Sequence, residues 1–266
     1  MRALGRLPYG LRTGRPHAAL LAPCLESPSG GASALPEAFL FATPRPFRNR
    51  QALHSRRMQA RRAQDILDYW FGPDPLAQGE IQNRIRLWFG GDDPPEIRVL
   101  RDEDMAERFS VLAREAAAGE LDAWAASPHR LLALILLLDQ IPRNIFRGTA
   151  RAFAQDEKAL QLAYDGMKTG ADAGLSPIQR VFLYMPLQHC ESPDVQEESV
   201  AAFRRLAAEA PVEHRAVFEG CLHFAELHQR IVNRFGRFPH RNRVLGRRNS
   251  VAEAEFLANE AETFGQ

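Results

Sequence analysis

Apolar residues return every three or four positions along most of the chain from Met58 onward, which is the spacing that lays one stripe along a helix. Ile66, Leu67, Trp70 and Phe71 form such a stripe and are followed by Gly72 and Pro73, so a helix is predicted to stop there on glycine. Ile81, Ile85, Trp88 and Phe89 repeat the pattern before Gly90 and Gly91. Both runs end in Trp-Phe-Gly, which makes Trp70 and Trp88 expected core anchors. A third run sets Met105, Phe109, Leu112 and Ala116 on one face up to Gly119, and Leu121 with Trp124 completes a further helical turn. Ser127-Pro128, Ser176-Pro177 and Ser192-Pro193 each join a hydroxyl suited to an N-cap to a proline at the first helical position, where its missing N–H does no harm.

Leu131 to Leu138 is apolar at every position, so this helix is expected at the centre of the molecule. It is far shorter than the roughly 20 residues needed to cross a bilayer, and no association with membranes is expected. Asp156 to Thr169 reads as a helix stopped by Gly170, Pro193 to Ala210 as one stopped by Pro211, and Val212 to Phe235 as the longest. Ser250-Val251-Ala252-Glu253 is a capping box opening a short terminal helix with Phe256 and Leu257. No stretch alternates apolar and polar residues long enough to be a strand. The fold class is therefore all-α. Short Pro/Gly connections predict packed antiparallel helical hairpins, as an irregular bundle or a tetratricopeptide-like solenoid, although no complete repeat signature of about 34 residues is present.

Composition changes this picture only at the N-terminus. The chain is 45% hydrophobic and 25% charged with a mean hydropathy of −0.32, as in ordinary globular proteins. Its net charge of +1 hides an asymmetry: residues 1–60 hold nine arginines, no lysine and only Glu26 and Glu37. Pro8, Pro16, Pro23, Pro28, Pro36, Pro44 and Pro46 interrupt that stretch, so residues 1–57 are expected to stand outside the core. Two readings remain for them, an Arg-rich, acid-poor transit-like leader or a misassigned extension upstream of a true start at Met58. Residues 58–266 are then one helical domain. Three cysteines, Cys24, Cys190 and Cys221, with no CxxC pair, exclude a disulfide framework and a zinc knuckle. The expected compartment is reducing, hence the cytoplasm, or a mitochondrion or plastid if the leader reading holds.

Candidate chemistry begins with the arginines. Residues 227–252 contain no Asp or Glu but hold Arg230, Arg234, Arg237, Arg241, Arg243, Arg247 and Arg248. Within them lies Phe235-Gly236-Arg237-Phe238-Pro239-His240-Arg241-Asn242, a loop of guanidinium, imidazole and amide groups suited to an anion. A partial echo, Asp139-Gln140-Ile141-Pro142-Arg143-Asn144-Ile145-Phe146-Arg147-Gly148, follows the all-apolar helix directly. Polar groups emerging there need partners, so the two segments are expected either to bond each other or to line one pocket. Asp139, Gln140, Arg143, Asn144, Arg147, Arg237, His240, Arg241 and Asn242 are the candidate ligand-binding residues, joined by Tyr184 and His189 beside the helix-interrupting Pro186.

Among the histidines, His228 shares a seam with His214, Val217, Cys221, Phe224, Ile231 and Phe235 and reads as a core histidine. His223 and His228 are spaced too poorly for joint chelation, and no metal site is expected. Cys190 is a poor nucleophile for its neighbour His189, because adjacent helical residues point apart.

Together, residues 138–148, residues 180–189 (Arg180-Val181-Phe182-Leu183-Tyr184-Met185-Pro186-Leu187-Gln188-His189) and residues 235–242 resemble an uncharacterised, mainly bacterial family known only as a domain of unknown function. The resemblance runs from about Ala63 to Phe256, takes in Trp88-Phe89-Gly90-Gly91, and leaves the first 57 residues outside. It implies an all-helical, tetratricopeptide-like fold, and brings no substrate, cofactor or catalytic residue with it. Two departures are Ile141 where Phe is commoner and Cys190 where a small hydroxyl residue is usual.

Three functions compete on these grounds. The first is binding of a small anionic molecule or an acidic peptide by the two Arg/Asn segments, with His240 setting a pH dependence. The second is a hydrolase-type enzyme using His240 or His189 as base with Asp139 or Glu191 orienting it. The third is a scaffold for another protein. Nucleic-acid binding is disfavoured because the residues after 60 are net acidic and hold no recognised motif. No cofactor is specified by any motif.

Overall fold

The computed structural model describes residues 47–90 and 93–259. Expectations placed on residues 1–46 lie outside the described residues, as does Gly91. Among the described residues ten α-helices follow one another: α1 (Phe47–Phe71), α2 (Glu80–Phe89), α3 (Pro95–Ala117), α4 (Pro128–Leu138), α5 (Gln140–Ile145), α6 (Asp156–Thr169), α7 (Pro177–Gln188), α8 (Pro193–Glu209), α9 (Arg215–Phe235) and α10 (Val251–Asn259). Short 3-10 turns link several of them, and there is no strand among the described residues. The fold is all-α, as the apolar spacing requires. None of its described helices is long and apolar enough to cross a membrane.

The reason for the arrangement is α4. A helix apolar on every side has no face for water, and all of Leu131 to Leu138 are buried. Five helices close around it, α1, α3, α5, α6 and α7. That makes the domain an irregular bundle about a central rod, whereas the units of a solenoid touch only their neighbours. Neighbour-on-neighbour packing does occur from α6 through α7 and α8 to α9. Where α6 crosses the bundle, Gly166 leaves no room for a side chain: a Cβ there would sit 2.8 Å from Leu131 Cδ2.

Both predicted anchors are in place. Trp70 and Trp88 are buried, Trp88 Nε1 donates to Trp70 O at 2.9 Å, and both indoles meet the Phe182 ring edge-on. Of the serine caps, Ser176 belongs to a capping box in which its own N–H donates to Gln179 Oε1 at 3.0 Å. Ser127 and Ser192 make no side-chain cap bond; Ser127 Oγ instead accepts from Arg130 Nε at 3.3 Å. At α10 the expected capping box is complete, with Glu253 N–H on Ser250 Oγ (3.2 Å) and Ser250 N–H on Glu253 Oε2 (2.6 Å).

Two local expectations need adjusting. The segment after α4 turns helical at once as α5, because Pro142 falls in its first turn, where proline is tolerated. The helix expected to be the longest starts at Arg215, with Val212–His214 as a 3-10 turn ahead of it, and at 21 residues it is shorter than α1 (25) and α3 (23). α9 ends on Gly236, whose φ of +71° lets the chain reverse and return Phe238 to the interior.

Candidate functional site

Asp139 ends α4 and opens α5, so burial of the apolar helix carries its carboxylate to 0% exposure. An ion there must be neutralised and hydrogen-bonded. Three partners do this: His189 Nδ1 lies 2.7 Å from Oδ1, Arg143 Nη1 lies 3.1 Å from the same oxygen, and Gln140 Nε2 donates to Oδ2 at 2.6 Å. Burial by itself would raise the carboxyl's pKa, but Arg143, His189 and these hydrogen bonds outweigh it and hold the acid well below the usual carboxylate range.

The two sequence segments do converge, through a residue that belongs to neither. Asp156, at the start of α6, receives Arg143 Nη2 at 2.9 Å and Arg241 Nη1 at 3.1 Å on one oxygen. Arg241 lies over Phe153 (4.6 Å from ring centroid to guanidinium carbon) and Phe238 (4.5 Å), so two aromatic faces take the place of water beside it. Its residue exposure is 6%, yet its Nε is buried with no hydrogen-bond partner. Burial lowers this guanidinium to about 10, even with Asp156 beside it.

His189 reaches the cluster from the end of α7. That end is fixed by Gln196 of α8, whose Nε2 donates to the carbonyls of Gln188 (2.8 Å) and Cys190 (2.7 Å) on either side of the histidine. The His189 ring stands 6.1 Å from that of His228, and His228 stands 5.3 Å from Phe238. His228 Nδ1 is bonded to Phe224 O at 2.8 Å, as suits the buried seam histidine the spacing predicts. His240 packs tilted on Phe238 at 5.6 Å. Burial lowers all three imidazoles: His189 below its ordinary value with help from Arg143, His228 well below, and His240 to about 3 with help from Arg241. Contacts thus run in a circuit from His189 through Asp139, Arg143, Asp156, Arg241, Phe238 and His228 back to His189. Asp156 and His189 are the half-buried members of this circuit, and Phe153 and His240, packed on Arg241 and Phe238, are half-buried as well.

The remaining candidates are placed around this circuit. Asn144 Nδ2 donates to Gln140 O (3.0 Å), and Arg147 makes a forked pair with Asp102 (2.7 and 3.0 Å). Arg237 makes another with Glu253 (2.6 and 2.8 Å), and Asn242 donates to Asn249 Oδ1 at 2.8 Å. Tyr184 is not brought to the cluster; its hydroxyl donates to Asp172 Oδ2 at 2.6 Å beside a cavity of about 120 Å³ shared with Arg180 and Arg205. A second cavity of about 210 Å³ is lined by Pro142, Phe146 and Arg151, and neither cavity is lined by His189, Asp156 or Arg241. Glu191 serves the second segment by accepting Phe238 N–H at 2.8 Å and a fork from Arg247 at 2.6 and 2.9 Å.

Sequence reasoning missed Phe153, Asp156 and Gln196 as parts of the site, and it named Arg247 and Glu253 only in the arginine run and the capping box. One signal was present: seven arginines with no acid among them require counter-charges from elsewhere, and Glu253 stands immediately after the run. Among the described residues, no group of three or more His, Cys, Asp or Glu is arranged to hold a metal ion.

A bundle wrapped around an apolar helix, with an ionic and imidazole cluster at that helix's C-terminal end, defines a class of all-helical domain with charged groups in its interior. The chain belongs to the family described as bacterial protein of unknown function (DUF924), whose model matches residues 66–261. It is similar to the solved structure of the protein of unknown function ATU0120 from Agrobacterium tumefaciens, with 35% identity and a TM-score of 0.61, covering 76% of this chain and 99% of that one. No curated protein matches the chain.

Proposed function

We propose that the domain binds a small oxyanion, a carboxylate or phosphate, at Arg241 on the half-buried side of the cluster. The observation that carries the reading is the under-paired guanidinium. Arg241 is over nine-tenths buried, gives one hydrogen bond to a carboxylate it shares with Arg143, and leaves its Nε without a partner. Buried cations are stable when their donors are spent, and a forked donor with unspent N–H groups is complementary to a two-oxygen anion. Its near-complete burial selects a small molecule over an acidic peptide, since a chain segment would need a groove to lie in. The three neighbouring imidazoles, held neutral by burial, add polarity without adding competing positive charge.

Isothermal calorimetry with succinate and with inorganic phosphate tests this in wild type and in Arg241→Gln. Saturable binding by wild type, weakened at least tenfold in a variant whose far-UV spectrum is unchanged, is the expected result. Equal affinity in the two proteins refutes the site. Heat only with a Glu-rich peptide transfers the function to the scaffold reading.

A further inference from the structure

We infer that His189 is a general base acting on an ester that carries a second, anionic group, which rests on Arg241 holding that group as proposed above. The geometry has three parts. Nδ1 of His189 is tied to Asp139 at 2.7 Å, and that carboxylate is wholly buried, so the ring is fixed in orientation and in tautomer, with its N–H toward the acid. Among the described residues Nε2 has no hydrogen-bond partner, and the side chain keeps 11% of its surface exposed. An imidazole oriented through one nitrogen and offering the other to solvent is the arrangement that lets a base take a proton from water. Finally, His189 and Arg241 belong to one cluster, linked through Asp139, Arg143 and Asp156 on one route and through His228 and Phe238 on the other.

The step is a hydrolysis. Water oxygen bonds to the acyl carbon while His189 Nε2 takes one of its protons. The acyl–oxygen bond then breaks, and the proton passes from the imidazolium to the departing oxygen. One water is added across the ester, yielding an acid and an alcohol, with no other reactant. Arg143, whose charge is felt at His189, adds a fixed positive charge to the surroundings in which the acyl oxygen becomes negative. Asp139 is a positioning residue here, acting through the ring.

Surroundings keep the base in its working form. The groups facing His189 are Asp139 and Arg143 from the α4–α5 junction, His228 of α9, Asp156 of α6, and His240 from the segment after α9. Burial first, and Arg143 second, depress its protonation, so the ring is a neutral base at neutral pH.

The test uses the full chain and 4-nitrophenyl hemisuccinate, whose free carboxylate suits Arg241 and whose hydrolysis releases a coloured phenol and succinate. Wild type is expected to exceed His189→Gln by about 10²–10⁴-fold in kcat, while the variant binds succinate as wild type does and melts at the same temperature. Arg241→Gln is expected to raise KM. A wild-type rate equal to that of His189→Gln, with succinate bound by both, overturns the base and leaves the anion site standing. Failure of wild type itself to bind succinate overturns both. Should His189→Gln not fold, the pH profile of wild-type kcat decides: an acid limb below the ordinary imidazole value of about 6.5 supports the base, and a rate independent of pH between 4 and 8 removes it.

Discussion

Asp156→Asn asks whether one carboxylate holds the two sequence segments together. In the folded protein this side chain receives Arg143 at 2.9 Å and Arg241 at 3.1 Å, and both guanidiniums are more than nine-tenths buried. With Asp139, the four groups sum to zero charge. An amide at 156 keeps the volume but leaves a net positive charge in the interior: Arg143 retains an ion pair with Asp139 at 3.1 Å, while Arg241 keeps only the longer-range pull of Glu191 and Asp139. Removing one partner of a buried pair costs about 3–5 kcal/mol. The Asp156 side chain keeps 19% of its surface in water, so the lower end, about 3 kcal/mol, is expected. For a domain of this size that is a fall in Tm of roughly 6–12 °C. Urea denaturation at pH 7 measures it directly. Combined with Arg241→Gln, the loss should fall well short of the sum of the two single losses, because the pair shares one interaction. A loss below about 1 kcal/mol for Asp156→Asn, or full additivity with Arg241→Gln, would show that the bridge contributes little and that the segments are joined by other means.

Two further outcomes follow from the burial of titratable and small residues. His240 is lowered to about 3 by burial and by the charge of Arg241, with Glu191 opposing and Arg143 and His189 adding to the shift; its unfolded value is about 6.5. Between those values the unfolded chain takes up a proton that the folded one refuses, so stability is greatest above pH 6.5 and falls as pH drops toward 3. His240→Gln should flatten this acid slope by up to about 1.4 kcal/mol per pH unit, read from urea midpoints at pH 7, 6 and 5, and an unchanged slope refutes the assignment. Gly166→Ala gains about 1 kcal/mol of helix propensity but places a methyl 2.8 Å from Leu131 Cδ2 in a packed crossing, which costs about 1–3 kcal/mol. A net loss of roughly 1 kcal/mol is expected from the two terms, and a higher Tm for the variant would mean that Leu131 gives way freely.

The helices were legible because their signals are local. Asp156–Thr169 has the bounds its apolar spacing and Gly170 predict, and the Ser250 to Glu253 box forms as its four letters require. Leu131 to Leu138 could lie only at the centre, since no orientation of that helix offers a polar side to water. The sequence also marked both arginine-bearing segments as needing partners. It did not say which partners. Asp156 and Arg241 lie 85 positions apart, and nothing local to either connects them. Likewise nothing in Gln196 announces that its amide will fix the carbonyls around His189, nor in Tyr184 that it will face Asp172 away from the cluster. Such pairings are settled by the path of the chain around α4, because a buried charge takes whichever counter-charge the packing of helices brings within about 3 Å. Secondary structure and the need for neutralisation were thus fixed by residue order, while the choice of neutralising group, and the free nitrogen left on His189, came only from tertiary packing.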